Sequence, residues 1–169
     1  RRMSRPLQAI VFDFDGVTPL EETLGAMSQA VEAGKIDRFG VSNATLADVK
    51  AVMDLAGSSL GRRFEYVQND YNMLAAGDAE ELIPFCAGHG LRYTAFSPLA
   101  GGFLTGKYRP GEPPPSGSRL AHAPEVCAGY SNEQGFAVIE QLRRSAEARS
   151  EGMAVAALRF VLDTPESTA

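Results

Sequence analysis

Four apolar runs in this sequence stop at polar residues, and those residues are the first candidates for chemistry. One run is followed by Ser42 and Asn43, a second by Gln68 and a third by Ser97. The remaining run ends at Asp13. Functional residues often lie where a buried strand opens into a loop. Hydroxyl and amide side chains supply hydrogen-bond donors and acceptors, and a carboxylate supplies charge. The pattern predicts a polar site built from strand ends.

Alternating strands and helices must position these residues. The hydrophobic periodicity predicts strands at 7–14, 38–41, 64–68 and 92–96, and helices near 18–34, 46–56, 78–86, 133–149 and 153–162. Ser131 and Gln134 have the spacing of a capping box at the start of the fourth helix. Four strands that alternate with helices predict an α/β fold with a parallel sheet and right-handed crossovers.

The alternation stops after the fourth strand. Segment 98–132 is rich in glycine and proline, which predicts a long surface loop. We expect a single domain over 1–169. Within it we expect the first strand in 3–17, the strand–helix units in 18–97, the long loop in 98–132 and the C-terminal helices in 133–163.

Composition excludes several classes of partner. The net charge is −5, so no broad basic surface is expected to bind nucleic acid or an anionic membrane. No apolar run approaches the roughly 20 residues of a membrane span. The two cysteines, Cys86 and Cys127, lack the spacing of metal ligands. These features favour a reduced, cytoplasmic protein.

Three longer motifs carry a resemblance to a known family. They read FGVSN at 39–43, YVQNDYN at 66–72 and AFSPLAGGFLTGKY at 95–108. In this order and spacing they resemble the second half of an aldo-keto reductase, a (β/α)8 barrel that moves hydride between NADP(H) and a carbonyl. The likeness covers roughly residues 15–164, which is most of the chain.

The resemblance implies a nicotinamide-cofactor site. The positions that hold the nicotinamide carboxamide in the family are matched by Ser42, Asn43 and Gln68. The aromatic residue that stacks on the nicotinamide ring is matched by Phe96. The loop that passes the pyrophosphate is matched by Ser97, Leu99, Gly101 and Gly102. Glycines in such a loop let backbone amides approach phosphate oxygens.

The residues that reduce the carbonyl in the family are not matched. The family uses Asp, Tyr, Lys and His, and the first three lie on barrel strands that precede the matched segment. The His position falls on Phe12, which cannot donate a hydrogen bond. The leading interpretation is therefore a truncated aldo-keto reductase-like protein that keeps a remnant cofactor half-site and has lost reductase activity. A non-catalytic structural fold is one alternative.

The expected fold is an incomplete, half TIM-type barrel. The 169 residues are few for a (β/α)8 barrel, which typically needs about 250. About four parallel strands cannot close a barrel, and they leave open edges that favour pairing with another chain. We therefore expect self-association that completes the fold, most simply as a homodimer and otherwise as a higher homo-oligomer.

A second resemblance lies at the N-terminus. The sequence AIVFDFDGV at 9–17 is similar to the opening motif of haloacid dehalogenase-like phosphatases. The resemblance implies that Asp13 is a nucleophile, that Asp15 is a general acid/base and that both hold Mg²⁺. A weak Mg²⁺-dependent phosphatase is thus another alternative, although no convincing late metal-binding pair follows. The two motifs together suggest a chimera whose first strand is borrowed, and two carboxylates at the mouth of a structural strand remain the simpler interpretation.

Overall fold

The computed structural model describes residues 7–13, 18–60, 63–164 and 167–168. The strands are β1 (Leu7–Asp13), β2 (Ile36–Ser42), β3 (Phe64–Asp70), β4 (Arg92–Phe96) and β5 (Ser167–Thr168). The helices are α1 (Leu20–Glu32), α2 (Leu46–Leu60), α3 (Leu82–Gly88), α4 (Arg119–His122), α5 (Glu133–Ala148) and α6 (Met153–Leu162). Short 3₁₀ helices span Gly77–Ala79, Ala100–Thr105 and Pro124–Cys127.

The sheet confirms the predicted fold class. Its strand order is β1-β2-β3-β4-β5, and β2 pairs in parallel with both β1 and β3. The four predicted strands are all present, and they form an α/β sheet that does not close into a barrel. The sequence analysis did not predict the two-residue strand β5. None of the helices in the described residues is long and apolar enough to cross a membrane.

The chain divides into two compact units. The first comprises Arg1–Asn69 and Ala79–Thr94, and the second comprises Asp70–Asp78 and Ala95–Ala169. The single domain expected over 1–169 stays a prediction.

Aliphatic and aromatic residues of β2, β3 and α2 form the core of the first unit. Phe39, Val41, Val49, Val52 and Val67 have no exposed surface. The Phe39 ring stacks on that of Phe12 at 6.4 Å between ring centres, and it lies tilted against that of Phe64 at 5.5 Å. Burying a side chain of this size contributes about 1.5–3 kcal/mol to folding. The ring contacts join the first three strands, and the buried valines fill the interior of the first unit.

A register shift lies between β2 and β3. Phe39 pairs with Phe64, whereas the next residue, Gly40, pairs with Tyr66, so Glu65 is an extra residue on β3. The glycine allows this close approach, because a Cβ at its position would lie 2.5 Å from the Cβ of Tyr66. The carboxylate of Glu65, only 14% exposed, pairs with two arginines at 2.6 and 2.9 Å, namely Arg38 and Arg92. The bulge is thus fixed by close packing and by charge.

The core of the second unit is built largely from segment 98–132 and the last two long helices. Phe103 is fully buried, and its ring centre lies 5.6 Å from that of Tyr108 and 5.2 Å from that of Phe136. Ile139 and Leu142 of α5 complete this cluster. The expectation that 98–132 runs over the surface is therefore wrong in part. Its apolar residues anchor it, and its glycines and prolines occupy the turns.

Helix α5 begins with a different cap from the one predicted. Asn132, not Ser131, is the N-cap residue, and its side chain accepts a hydrogen bond from the Gly135 amide at 2.9 Å. Asparagine is among the strongest N-cap residues, so a side-chain cap is kept, but the predicted capping box is not formed because Gly135 at the third helical position has no side chain to return a bond.

Candidate functional site

A row of polar residues crosses the carboxyl ends of the first three strands. Asp13 pairs in register with Ser42, and Ser42 pairs with Gln68. Register partners on adjacent strands project from the same face of a sheet, with the strands about 4.8 Å apart. The structure therefore brings together three of the residues that the sequence analysis singled out, and all three belong to the first unit.

Asn43 connects the ends of this row. Its backbone N–H donates to the Gln68 carbonyl at 3.0 Å, and its Nδ2 donates to Asp13 Oδ1 at 2.6 Å. The residue has φ of 56°, in the left-handed region that asparagine tolerates better than most residues. A non-glycine residue held in this region often marks a functional site.

Asn69 fixes the backbone that follows. This side chain is 8% exposed, and its Oδ1 accepts from the Ala44 amide at 3.0 Å while its Nδ2 donates to the Ala44 carbonyl at 2.8 Å. Both backbone groups of Ala44 are thus satisfied by one side chain. The turn that carries Asn43 is held by β3, a role that no local pattern in the sequence indicated.

The hydrogen-bonding groups of this row match those of a primary carboxamide. A carboxamide presents one carbonyl acceptor and two N–H donors, so a matching site must offer both donors and acceptors. Ser42 supplies a hydroxyl, and Asn43 and Gln68 supply amides. Ser42 and Gln68 are half-buried and Asn43 is exposed, so a ligand can reach the set.

In the second unit, the loop after β4 has unusual backbone geometry. Positive φ values occur at five of its positions, namely Ser97 (51°), Ala100 (49°), Gly101 (63°), Gly102 (95°) and Gly106 (76°). The start of the loop is held by Asn72, a fully buried side chain whose Nδ2 donates to the Ser97 carbonyl at 3.2 Å. Strain of this kind costs about 1–3 kcal/mol per non-glycine residue, and it persists only where the surroundings impose it.

The ammonium group of the Lys107 side chain lies against this loop. A Cβ added at Gly102 would be 3.1 Å from the Lys107 ammonium, so the glycine leaves room for that group beside the backbone. The ammonium also lies 5.2 Å from the centre of the Tyr108 ring. An ammonium group beside such a turn can attract a phosphate group, whereas the amides of Ala100 and Gly102 donate to the Ser97 and Leu99 carbonyls within the loop. The sequence analysis had not assigned Lys107 to the cofactor site, although it is the next-to-last residue of the same motif. Leu99 and Phe96 are half-buried beside this segment.

Asp70 and Tyr130 form a contact that the sequence did not predict. The Tyr130 hydroxyl donates to Asp70 Oδ2, and Asn72 Nδ2 donates to Asp70 Oδ1 at 2.9 Å. Partial burial, and secondarily the hydrogen bond to this carboxylate, raise the pKa of Tyr130 to about 12. The phenol therefore stays protonated at neutral pH and ties the end of segment 98–132 to Asp70 of the same unit. It also lines an open cleft of about 400 Å³ together with Met73 and Leu74.

The predicted magnesium site has no support. Asp15 lies outside the described residues, and the Asp13 carboxylate contacts Asn43. Within the described part of the chain, no group of three His, Cys, Asp or Glu side chains is placed to hold a metal ion. The Mg²⁺-dependent phosphatase stays a prediction.

Phe12 occupies the position that the resemblance assigned to a catalytic histidine. Its ring lies 6.4 Å from that of Phe39 with a 21° angle between the ring planes, so the two rings stack. The side chain packs within the sheet layer and offers no polar atom for acid–base chemistry.

Comparisons with known proteins show the family of this chain. A model described as the aldo/keto reductase family matches residues 10–169, which includes part of β1. An aldo-keto reductase of Pseudocercospora fijiensis is 31% identical over 153 residues, which cover 87% of this chain and 51% of that protein. Human aldo-keto reductase family 7 member A3 is 40% identical over 95 residues, or 56% of this chain and 29% of that protein.

Solved structures show the same fold. The glycerol dehydrogenase of Gluconobacter oxydans superposes with a TM-score of 0.70 at 21% identity, covering 96% of this chain and 48% of that one. An aldo-keto reductase from Klebsiella pneumoniae in complex with NADPH gives 0.65 at 26% identity, covering 97% and 47%. The chain spans about half the length of these structures, 51% of the Pseudocercospora fijiensis protein and 29% of the human protein.

Proposed function

Because this chain belongs to the aldo/keto reductase family, we propose that it binds NADP(H) through the residues at its strand ends. The observation that carries the proposal is the row in which Ser42 and Gln68 are register partners, with Asn43 bonded to the Gln68 backbone. The row presents hydrogen-bond donors and acceptors from two adjacent strands, as a carboxamide needs.

For the second unit we propose that the loop after β4 binds phosphate. Its backbone turns through Ser97, Gly101 and Gly102 with positive φ, and the Lys107 ammonium lies beside it. Backbone amides and a cation can together stabilise an anionic group without a metal ion. The relative from Klebsiella pneumoniae was solved with NADPH, which supports a phosphate-bearing ligand of this class.

We further propose that the chain on its own does not reduce carbonyl compounds. Reduction by this family needs a proton donor beside the carbonyl, and Phe12 stands where the resemblance places one of the residues that tune it. When bound, NADPH supplies the hydride, and the described residues would bind and orient it.

Calorimetric titration with NADPH tests the cofactor proposal. We expect saturable binding, and we expect Gln68→Ala to weaken it about 5- to 10-fold, because one hydrogen bond to the ligand contributes roughly 1 kcal/mol. Calorimetry suits the protein because it has no tryptophan for fluorescence quenching.

Gln29→Ala is the matched control. It removes the same side chain from an exposed position on α1, in the same unit, and should leave the affinity unchanged. Absence of binding at millimolar NADPH, or an equal loss in both variants, would contradict the proposal. Consumption of NADPH with a reactive aldehyde that falls in Gln68→Ala would contradict the proposed lack of reductase activity.

We also propose a homodimer formed at the edge of β1. This strand is the first in the sheet order, and its pairing within the described residues is with β2. Val11 of this strand is 37% exposed, and an exposed apolar edge favours pairing with a second strand. Sedimentation velocity should show a dimer at micromolar concentration and a shift toward monomer in Val11→Lys. A monomer at all concentrations for the unmodified chain would refute the assembly.

A further inference from the structure

Asp13 is part of the polar row, yet the proposed cofactor site gives it no role. It pairs in register with Ser42, and its carboxylate accepts a 2.6 Å hydrogen bond from Asn43. Both partners are residues that we propose contact the nicotinamide carboxamide. The carboxylate therefore stands one hydrogen bond away from that ligand group, in the same unit and at the same end of the sheet.

The contact fixes the orientation of the Asn43 amide. A carboxylate can only accept hydrogen bonds, so Asn43 must direct its Nδ2 toward Asp13. Its Oδ1 then points away from Asp13 and remains an acceptor for an N–H group. The backbone of the same residue is held by the Gln68 carbonyl, so the amide is fixed at both ends.

The charge of Asp13 is also available to a ligand. Asp13 is exposed, and within the part of the chain that the structure describes no ion pair involves it. An oxidised nicotinamide ring carries a positive charge, whereas the reduced ring is neutral. A nearby carboxylate attracts the first and has no such attraction for the second.

We infer that Asp13 sets the preference of this site between the two cofactor states, so that the oxidised dinucleotide binds more tightly relative to the reduced one than it would without this charge. The inference rests on the proposed function, because it requires the carboxamide to bind at Asn43. Asp13 is exposed to solvent and lies one hydrogen bond away from the proposed carboxamide position. For such a carboxylate we expect an effect of about 3- to 10-fold on the ratio of the NADP⁺ to the NADPH dissociation constant.

The test is a pair of calorimetric titrations, with NADP⁺ and with NADPH, on the unmodified chain and on Asp13→Asn. The introduced amide oxygen can still accept the bond from Asn43, so the variant removes charge and keeps the contact. We expect the ratio of the NADP⁺ to the NADPH dissociation constant to rise about 3- to 10-fold in the variant at low salt. The difference should shrink when the salt concentration is raised.

Asp54→Asn is the matched control. It removes one negative charge from an exposed position of α2, two turns into the helix and away from the strand ends, and should leave the ratio unchanged. Asp13→Ser serves as a second neutral variant if Asp13→Asn does not fold.

The outcomes separate the two proposals. If both cofactors bind and the ratio is the same with and without the Asp13 charge, this inference is wrong and the cofactor proposal stands. If the control shifts the ratio equally, net charge and not Asp13 is responsible, which also overturns the inference. If neither cofactor binds, both proposals are overturned together.

Discussion

Gly40→Ala is expected to lower the free energy of unfolding by about 2–4 kcal/mol, because a methyl group has no room in the bulge between β2 and β3. The added Cβ would lie 2.5 Å from the Cβ of Tyr66 and 2.9 Å from its carbonyl carbon, and backbone cannot move aside as a flexible side chain can. To relieve the overlap, β2 and β3 would have to separate where they carry the polar row. Equilibrium urea unfolding, followed by circular dichroism, measures the effect.

Gly25→Ala provides the comparison. Gly25 lies inside α1 with nothing within 4 Å of the position a Cβ would take, so the same substitution should stabilise the protein by about 0.5–1 kcal/mol. Opposite signs for the two variants would locate the cost in the strand contact. A Gly40→Ala protein as stable as the unmodified chain would show that the two strands are not so close in solution.

Asn69→Ala is expected to cost about 2–4 kcal/mol and to weaken cofactor binding by at least about tenfold. The substitution removes both hydrogen bonds to Ala44 and leaves a buried N–H and a buried C=O without their partner. Because Ala44 directly follows Asn43, the turn that presents the carboxamide ligands would lose its support. Urea unfolding measures the first effect, and NADPH calorimetry measures the second at a temperature where the variant is folded.

Two results would contradict this role of Asn69. One is a loss of stability no larger than that of Gln29→Ala, an amide truncation on an exposed helix face that should change stability by less than about 0.5 kcal/mol. The other is unchanged affinity in a folded Asn69→Ala protein, which would mean that the turn keeps its shape without β3.

The sequence predicted the strands well because a buried strand is a local pattern. Apolar runs placed the second strand at 38–41 and the third at 64–68, and the structure has Ile36–Ser42 and Phe64–Asp70. Helix α2 was predicted to end at 56, and Gly57 breaks its helical geometry with φ of 61°. Glycine leaves the helical region at little cost, so the position of Gly57 in the sequence predicts where the regular helix ends.

What the sequence could not predict depends on register and on distant partners. Ser42 and Gln68 were expected at strand ends, but their alignment in one row requires the shift at Gly40. The bond between Asp13 and Asn43 joins residues 30 positions apart, and the bond between Asp70 and Tyr130 joins residues 60 apart. Local periodicity carries no information on such pairs, because hydrophobic patterning constrains a face of an element and not which polar groups meet across it.

Segment 98–132 shows a different limit. Its glycines and prolines indicated irregular backbone, which is observed, and they also suggested exposure, which is wrong for Phe103, Leu104 and Tyr108. Turn-forming residues report backbone angles, whereas burial depends on the apolar residues placed between the turns.

The two compact units alternate along the chain, and this order constrains how the protein can be made. The first unit needs Ala79–Thr94 after Asn69, whereas Asp70–Asp78 already belongs to the second unit. During synthesis from the N-terminus, this nine-residue segment must leave the ribosome before the first unit is complete. Its residue Asp70 can form its hydrogen bond only after Tyr130 has been translated. No continuous fragment contains one whole unit without part of the other, so simple truncation cannot yield either unit alone.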